Sequence, residues 1–261
     1  PNGDIVWERQ YKGAGMNHDS ACGIAVDKLG NVYVTGFSEE GGTNNADITT
    51  IKYSTSGDLI WIKSYNQAAY ANDKGYALVV DDSENVYVAG VSSTTNGDYI
   101  TIKYSPDGET AWTRTYNGPQ NSLDEARALA VDKNANVYVT GRRTGSQTGL
   151  DYATIKYAPN GDQLWVKRYY TLPGQYPDEA VAVAVDDSGY VYVTGKSWGF
   201  DDFDVFTIKY SPNGDPIWVR QYKGPSWGND CYDVPTAMAI DKQGNAYVTG
   251  STEPCGPSLS D

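Results

Sequence analysis

Five aspartates recur along this chain at a nearly constant distance. Asp19, Asp73, Asp124, Asp178 and Asp233 are separated by 54, 51, 54 and 55 residues. If equal positions converge in the fold, these carboxylates ring one mouth of a channel. Neighbours ~10 Å apart repel by roughly 0.4 kcal/mol in water and ~1.7 kcal/mol at an effective dielectric constant of 20, so a converging ring invites a cation such as calcium. An aspartate just before a strand also accepts backbone N–H bonds in an Asx-turn, and a residue present in every repeat serves the repeat. Both readings stand for these five, and the turn reading extends to Asp47, Asp98, Asp151 and Asp204. No other cofactor is called for.

A second group could bind rather than ligate. Trp198 and Trp227 lie off the chain's regular beat of tryptophans, among Phe200, Phe203, Tyr176 and Tyr232 and beside Asp201 and Asp202. Aromatic planes next to amides and carboxylates suit a carbohydrate, whose apolar face stacks on a ring while polar groups take its hydroxyls. The alternative is that these rings pack their own loops. Catalysis has less to work with. One histidine, His18, allows no two-histidine metal site and no convincing Ser-His-Asp order. Paired carboxylates for glycan cleavage could come only from loops, through Asp178, Asp201 or Asp202. The acidic stretch 201–204 lacks the spacing of a calcium loop. Cys22, Cys231 and Cys255 fall in neighbouring blades if five blades close a ring, so Cys231–Cys255 or Cys22–Cys231 is a candidate disulfide.

The elements that position these groups come from one repeated phrase, Asn-Val-Tyr-Val-Thr-Gly, present with small changes at 31–36, 85–90, 136–141, 190–195 and 245–250. Trp7, Trp61, Trp112, Trp165 and Trp218 keep the same beat, 51 to 54 residues apart. Each period reads as two hairpins. An Ala-Val run ending in Asp turns into Val-Tyr-Val, and an Asp-x-x-Thr-Ile-Lys-Tyr strand turns through Ser-Pro-Asn-Gly into a strand bearing Trp, a basic residue and Tyr. The alternation has period two throughout, and no window has a helical period. Four antiparallel strands repeated five times predict an all-β chain, a β-propeller of five blades, or part of a larger array. Its expected parts are blade 1 at 21–66, blade 2 at 76–116, blade 3 at 126–170, blade 4 at 180–222 and a partial blade 5 at 236–261, in one domain spanning 1–261. Residues 1–20 carry an outer strand, around Ile5–Tyr11, that closes or precedes the ring, and blade 5 lacks its third strand. First strands alternate small and large residues, such as Gly23 and Ala25 with Ile24 and Val26, letting sheets converge near an axis.

The repeated core, an Ala-Val-Asp-x-x-Gly-Asn-Val-Tyr-Val-Thr-Gly pattern, resembles the bacterial β-propeller repeats called SBBP over nearly the whole chain, and more distantly the NHL and quinoprotein-like propellers. That resemblance implies propeller architecture and an extracytoplasmic bacterial or archaeal setting, and it transfers no activity.

Charge narrows the partners. A net charge of −13 over 261 residues, with no basic stripe, argues against nucleic acid and anionic lipid, and no apolar run approaches the ~18 residues of a membrane helix. The sequence thus predicts a secreted or cell-surface module, not an enzyme, whose loop-rich face meets a glycan or a protein. The alternatives are a glycan hydrolase or lyase using loop carboxylates, and an architectural spacer in a surface layer or adhesin. Composition leaves the oligomeric state open.

Overall fold

The computed structural model describes residues 2–13, 18–39, 45–68, 71–93, 96–171, 176–199, 202–224 and 232–252. Eighteen strands and no helix are present among them. Blade 1 is β1 (Asp19–Val26), β2 (Val32–Glu39), β3 (Ala46–Tyr53) and β4 (Leu59–Tyr65), and blade 2 is β5 (Lys74–Val80), β6 (Val86–Ser92), β7 (Asp98–Tyr104) and β8 (Thr110–Tyr116). Blade 3 is β9 (Glu125–Val131), β10 (Val137–Thr144), β11 (Leu150–Tyr157) and β12 (Gln163–Tyr169), and blade 4 is β13 (Asp178–Val185), β14 (Val191–Trp198), β15 (Phe203–Tyr210) and β16 (Pro216–Tyr222). The fifth sheet pairs β17 (Asp233–Ile240) with β18 (Ala246–Thr252). Every sheet is an antiparallel meander in chain order, as the hairpin spacing requires. The chain is built as two compact units, Pro1–Asn117 with blades 1 and 2 and Gly118–Asp261 with the rest.

One turn device generates all five sheets. In blade 1, Asp27 Oδ1 accepts the Leu29 and Asn31 amides, while Oδ2 accepts the Asn31 side chain at 2.8 Å and the Tyr33 hydroxyl at 3.0 Å. Asp81, Asp132 and Asp241 repeat the set on Tyr87, Tyr138 and Tyr247. Asp186 repeats it on Tyr192, with Tyr190 in place of the asparagine. The tyrosine fills the blade as a large ring, and its hydroxyl finds the one acceptor that also closes the hairpin. The lysine of Thr-Ile-Lys-Tyr caps the other face: Lys52, Lys103, Lys156 and Lys209 lie 4.8 to 5.2 Å from the rings of Tyr33, Tyr87, Tyr138 and Tyr192.

The motif glycine answers to a β-bulge in each first strand, where the pairing slips by one residue, as between Ala21 and Gly23. The slip drives the first-strand backbone against the second strand. A Cβ on Gly36 would stand 1.8 Å from the Ser20 carbonyl oxygen, and one on Gly141 would stand 2.0 Å from that of Glu125. No other residue fits there.

Within each unit, blades pack through equivalent side chains. In the first unit Tyr33, Ile48 and Trp61 meet Leu78, Val88, Ile102 and Tyr104, and in the second Tyr138 and Tyr152 meet Ala180, Val193, Ile208 and Tyr210. Small first-strand residues allow the approach, since a Cβ on Gly23 would already stand 3.2 Å from the Leu78 nitrogen. The outer-strand tryptophan then reaches the next blade's turn: Trp61 Nε1 donates to the Pro106 carbonyl at 3.1 Å and Trp165 Nε1 to that of Pro212 at 3.2 Å. The stretch around Ile5–Tyr11, expected as an outer strand, pairs with no strand among the described residues. Trp7 nevertheless takes the outer-strand station against blade 1, its Nε1 bonding the Thr55 carbonyl at 3.0 Å. No helix among the described residues is long and apolar enough to cross a membrane.

Two substitutions test the turn in opposite directions. Asp132→Ala strands the buried Tyr138 hydroxyl and two amides, and lowers the stability of the Gly118–Asp261 unit by about 2–3 kcal/mol in urea unfolding. Ala135 holds a left-handed φ of 59° where Gly30, Gly189 and Gly244 stand in blades 1, 4 and 5 and Glu84 in blade 2, so Ala135→Gly raises stability by about 1 kcal/mol. A loss in the second case would mean that Ala135 has contacts worth more than its strain.

Candidate functional site

The five spaced aspartates are clamps on the chain. Asp19 accepts the Gly13 amide at 3.0 Å and the Ser38 hydroxyl at 2.6 Å. Asp73 accepts the amides of Gln67 and Ser93 at 2.7 and 3.2 Å, and Asp124 those of Gly118 and Thr144. Asp178 takes Thr171, Ser197 and the Trp198 amide, and Asp233 takes the Gly224 amide. Each carboxylate therefore ties the connection arriving from the preceding blade; in Asp19, Asp73, Asp124 and Asp178 the second oxygen holds the end of the blade's second strand. Asp73, Asp124, Asp178 and Asp233 are buried. Among the described residues no group of three or more His, Cys, Asp or Glu is arranged to hold a metal ion. The buried carboxyl of Asp178 is spent on its own chain. His18 sits 5.8 Å from the Phe37 ring.

The aromatic prediction converges in part. Tyr176 stacks on Trp198 at 6.1 Å with 12° between the planes, Trp198 meets Phe203 edge-on at 4.9 Å, and Phe203 meets Tyr232 at 5.6 Å. These four rings form a continuous row across blades 4 and 5, joined by an isolated bridge between Phe203 and Tyr232. Tyr176 is 40% exposed and the other three are half-buried. Asp202, next to Phe203 in the chain, is buried and pairs with Lys223 at 3.2 Å. Phe200, Asp201, Trp227, Cys231 and Cys255 lie outside the described residues. Cys22 is exposed at the bulge of β1, and Cys231, the residue common to both candidate disulfides, falls outside that set with Cys255.

A charged layer adjoins the row. Glu125 pairs with Arg142 at 2.6 Å and Arg127 at 3.0 Å, Arg127 also reaches Glu179 at 3.2 Å, and Lys196 holds Glu179 at 3.3 Å. Arg127 thereby bridges blades 3 and 4. Lys196 also lies 5.3 Å above the Phe203 ring, so one ammonium joins the charged layer to the aromatic row. Deeper in blade 3, the buried Asp151 faces Arg143 and Arg168 at 3.5 and 3.8 Å.

Three segments, residues 9–38, 174–204 and 217–253, match the β-propeller repeat SBBP. Over these three segments, under half of the chain, the sequence is similar to SBBP β-propeller repeats. Each match begins at or before an outer-strand or connecting stretch and runs through the next first hairpin, and residues 39–173 between the first two matches build blades with the same register. Over 121 residues, 40% of this chain and 12% of the relative, the chain is 31% identical to regulatory protein FlaEY of Caulobacter vibrioides. It is 24% identical to an uncharacterized WD repeat-containing protein of Acanthamoeba polyphaga mimivirus over 89% of this chain and 19% of that one. The chain thus matches under a fifth of the length of either relative. Among solved structures it is similar in fold to a periplasmic gluconolactonase of Pseudomonas aeruginosa, with a TM-score of 0.52 at 13% identity over 88% of this chain and 69% of that one. A polysaccharide lyase, an ulvan lyase, gives a TM-score of 0.53 at 9% identity over 94% and 69%. Such likeness speaks to the fold alone.

Against the SBBP pattern the charged layer is a departure, which is why a search for recurrence misses it. The residue after the clamp aspartate is Ser20, Lys74, Glu125, Glu179 and Val234 in turn, and its cross-strand partner is Phe37, Val91, Arg142, Lys196 and Ser251. Only blades 3 and 4 place a carboxylate opposite a cation. The readable signal was this failure to repeat at an otherwise regular station.

Burial raises the Asp178 carboxyl to about 6, against hydrogen bonds from Ser197, Thr171 and Trp198 that favour the anion, and the charge of Asp151 adds to the rise. Between about pH 4 and pH 6 the folded chain then holds a proton that the unfolded chain has lost, so this group's stability contribution falls as pH rises. Carboxyl 13C titration should place the Asp178 midpoint near 6. The stability advantage of wild type over Asp178→Asn should grow by about 2–3 kcal/mol from pH 7 to pH 4. A pH-independent difference would show that the site solvates the anion fully.

Proposed function

We propose that this chain is a binding module of a secreted or cell-surface protein and that the row Tyr176–Trp198–Phe203–Tyr232 is where it meets a glycan. The observation that carries this reading is the continuity of four partly exposed rings on the loop side of blades 4 and 5, edged by Lys196 and by the Asp202–Lys223 pair. Stacking planes with charged and polar groups at their margin suit a pyranose, which offers an apolar face and a rim of hydroxyls. Two proteins of similar fold are named for action on sugars, a gluconolactonase and a polysaccharide lyase, which is compatible with this reading. The binding reading is favoured over a hydrolase or lyase because Asp178, one of the carboxylates on which cleavage would draw, is buried with its oxygens on Thr171, Ser197 and Trp198.

A glycan array followed by calorimetry on the best hit tests it. Trp198→Ala and Tyr176→Ala should each weaken binding at least tenfold, about 1.4 kcal/mol, with Trp198→Phe close to wild type. EDTA should change nothing, because the spaced aspartates are engaged by the backbone. A blank array with folded protein would discard the glycan and leave the row as a protein-docking surface.

A further inference from the structure

At the end of the strands where the turn aspartates lie, a cleft of about 430 Å³ opens between blades 3 and 4. Eleven residues line it, and nine of them have the same residue at the corresponding station between blades 1 and 2 of the first unit. Only two stations change. Leu29 is replaced by Asn134, and Glu84 by Gly189. One change removes an exposed apolar side chain and the other a carboxylate, so both turn a filled junction into one that accepts a polar guest.

The carboxylate removed is the counter-charge of a buried lysine. Lys52 Nζ lies over the Tyr33 ring, 3.3 Å from the Pro106 carbonyl oxygen and 3.4 Å from Glu84 Oε2. Lys156 repeats all of this except the last contact. It is buried, 5.1 Å from the Tyr138 ring, and donates to the Pro212 carbonyl at 3.1 Å, with no carboxylate in ion-pair contact among the described residues. A buried ammonium without a counter-ion loses hydration and gains little in return, and burial accordingly lowers the Lys156 pKa against the pull of Asp132. Lys209 also faces a glycine, Gly244, but it has a second ring, Tyr190, at 4.5 Å. Blade 3 carries Asn136 at that station. The aspartates of the cleft do not bar an anion, because Asp27, Asp81 and Asp82 stand around Glu84 at the stations that Asp132, Asp186 and Asp187 hold around Gly189. Asp132 and Asp186 are moreover engaged by turn amides and by the hydroxyls of Tyr138 and Tyr192.

We propose that this cleft binds a small hydroxylated carboxylate of the sugar-acid class, whose carboxylate takes the position on Lys156 that Glu84 holds on Lys52. The charge-assisted bond to a buried ammonium supplies affinity. The volume lies in the range of small-molecule sites and accommodates one monosaccharide ring, far more than a bare acetate fills. Asn134 and Ser188 line the cleft with an amide and a hydroxyl for the ring hydroxyls. The site lies at the opposite end of the blade strands from the aromatic row and does not depend on it.

The test titrates the intact chain, labelled with 13C and 15N at lysine, with sodium glucuronate, sodium acetate and methyl glucoside. The Lys156 side-chain resonances should move and saturate with glucuronate at a Kd of about 1 mM or tighter, with acetate at least tenfold weaker and methyl glucoside without effect. Gly189→Glu should weaken glucuronate at least tenfold by supplying its own carboxylate. It should fold as wild type, because Glu84 already adopts a left-handed φ of 63° at the matching station and a Cβ on Gly189 meets nothing nearer than Pro212 at 3.5 Å. Asn134→Leu, which restores the residue of blade 1, should weaken it at least threefold. The absence of a saturable shift at Lys156 would overturn the proposal, as would undiminished binding in a folded Gly189→Glu chain. Acetate binding as tightly as glucuronate would overturn the assignment to a sugar acid.

Discussion

The carboxylate of the turn aspartate carries more of this fold than any other group. It closes the first hairpin through two backbone amides and anchors the tyrosine that fills the blade, so turn geometry and core identity share one side chain. A tyrosine at the centre of a blade needs an acceptor, because a buried hydroxyl without a partner costs about 1–3 kcal/mol. Burial together with the neighbouring carboxylate pushes the hydroxyls of Tyr33 and Tyr138 far above the ordinary phenol range. These rings therefore stay neutral donors. The lysine over the opposite face then balances the aspartate without entering the hydrogen bonds. Lys52 also reaches the Pro106 carbonyl, the acceptor of Trp61, and Lys156 does the same at Pro212 with Trp165. Turn, ring, lysine and neighbouring turn form one continuous path, and blade-to-blade adhesion depends on the aspartate at its start.

Repetition made the fold legible. The repeated phrase falls on the second strand of each sheet, from β2 at Val32–Glu39 to β18 at Ala246–Thr252. The sheets are regular because each position is stated several times in the sequence, so chance variation at one site does not hide the rule. The aspartates were legible as a pattern and ambiguous as chemistry. A cation and a row of backbone amides both require a carboxylate at that station, and only the geometry of the preceding connection distinguishes them. Gly13, Gln67, Gly118, Thr171 and Gly224 supply those amides. Nothing in the residue types marks them as donors, since every non-proline residue carries an amide.

The candidate site was legible in a different way. Trp198 stood out because it broke the beat of the tryptophans, with Tyr176, Phe203 and Tyr232 as its aromatic company, and the structure brings these rings together through Phe203, a residue that also opens the Asp-x-x-Thr-Ile-Lys-Tyr strand of blade 4. Glu125, Arg142, Glu179 and Lys196 broke the beat as well. They passed unnoticed because charged residues on strands read as solvated, and their meaning lies in the register of two strands rather than in either one. The bulge at the start of each blade sets that register by placing Arg127 at the extra position. From there it reaches both Glu125 and Glu179.

Departure from the repeat is also where function has room to be written. A residue fixed by the turn, the bulge or the blade interface cannot change without cost to stability, whereas the station after the clamp aspartate tolerates serine, lysine, glutamate and valine. In the Gly118–Asp261 unit that freedom is used to set a charged layer against an aromatic row, with Lys196 belonging to both. A ring laid over this row removes water from Lys196, and loss of water strengthens its attraction to Glu179 and to the face of Phe203 together. Ligand contact and blade-to-blade charge pairing are then coupled through one side chain. On the proposed reading, a glycan laid over the row would tighten the junction of blades 3 and 4, because Glu179 is the carboxylate that Arg127 carries across to Glu125.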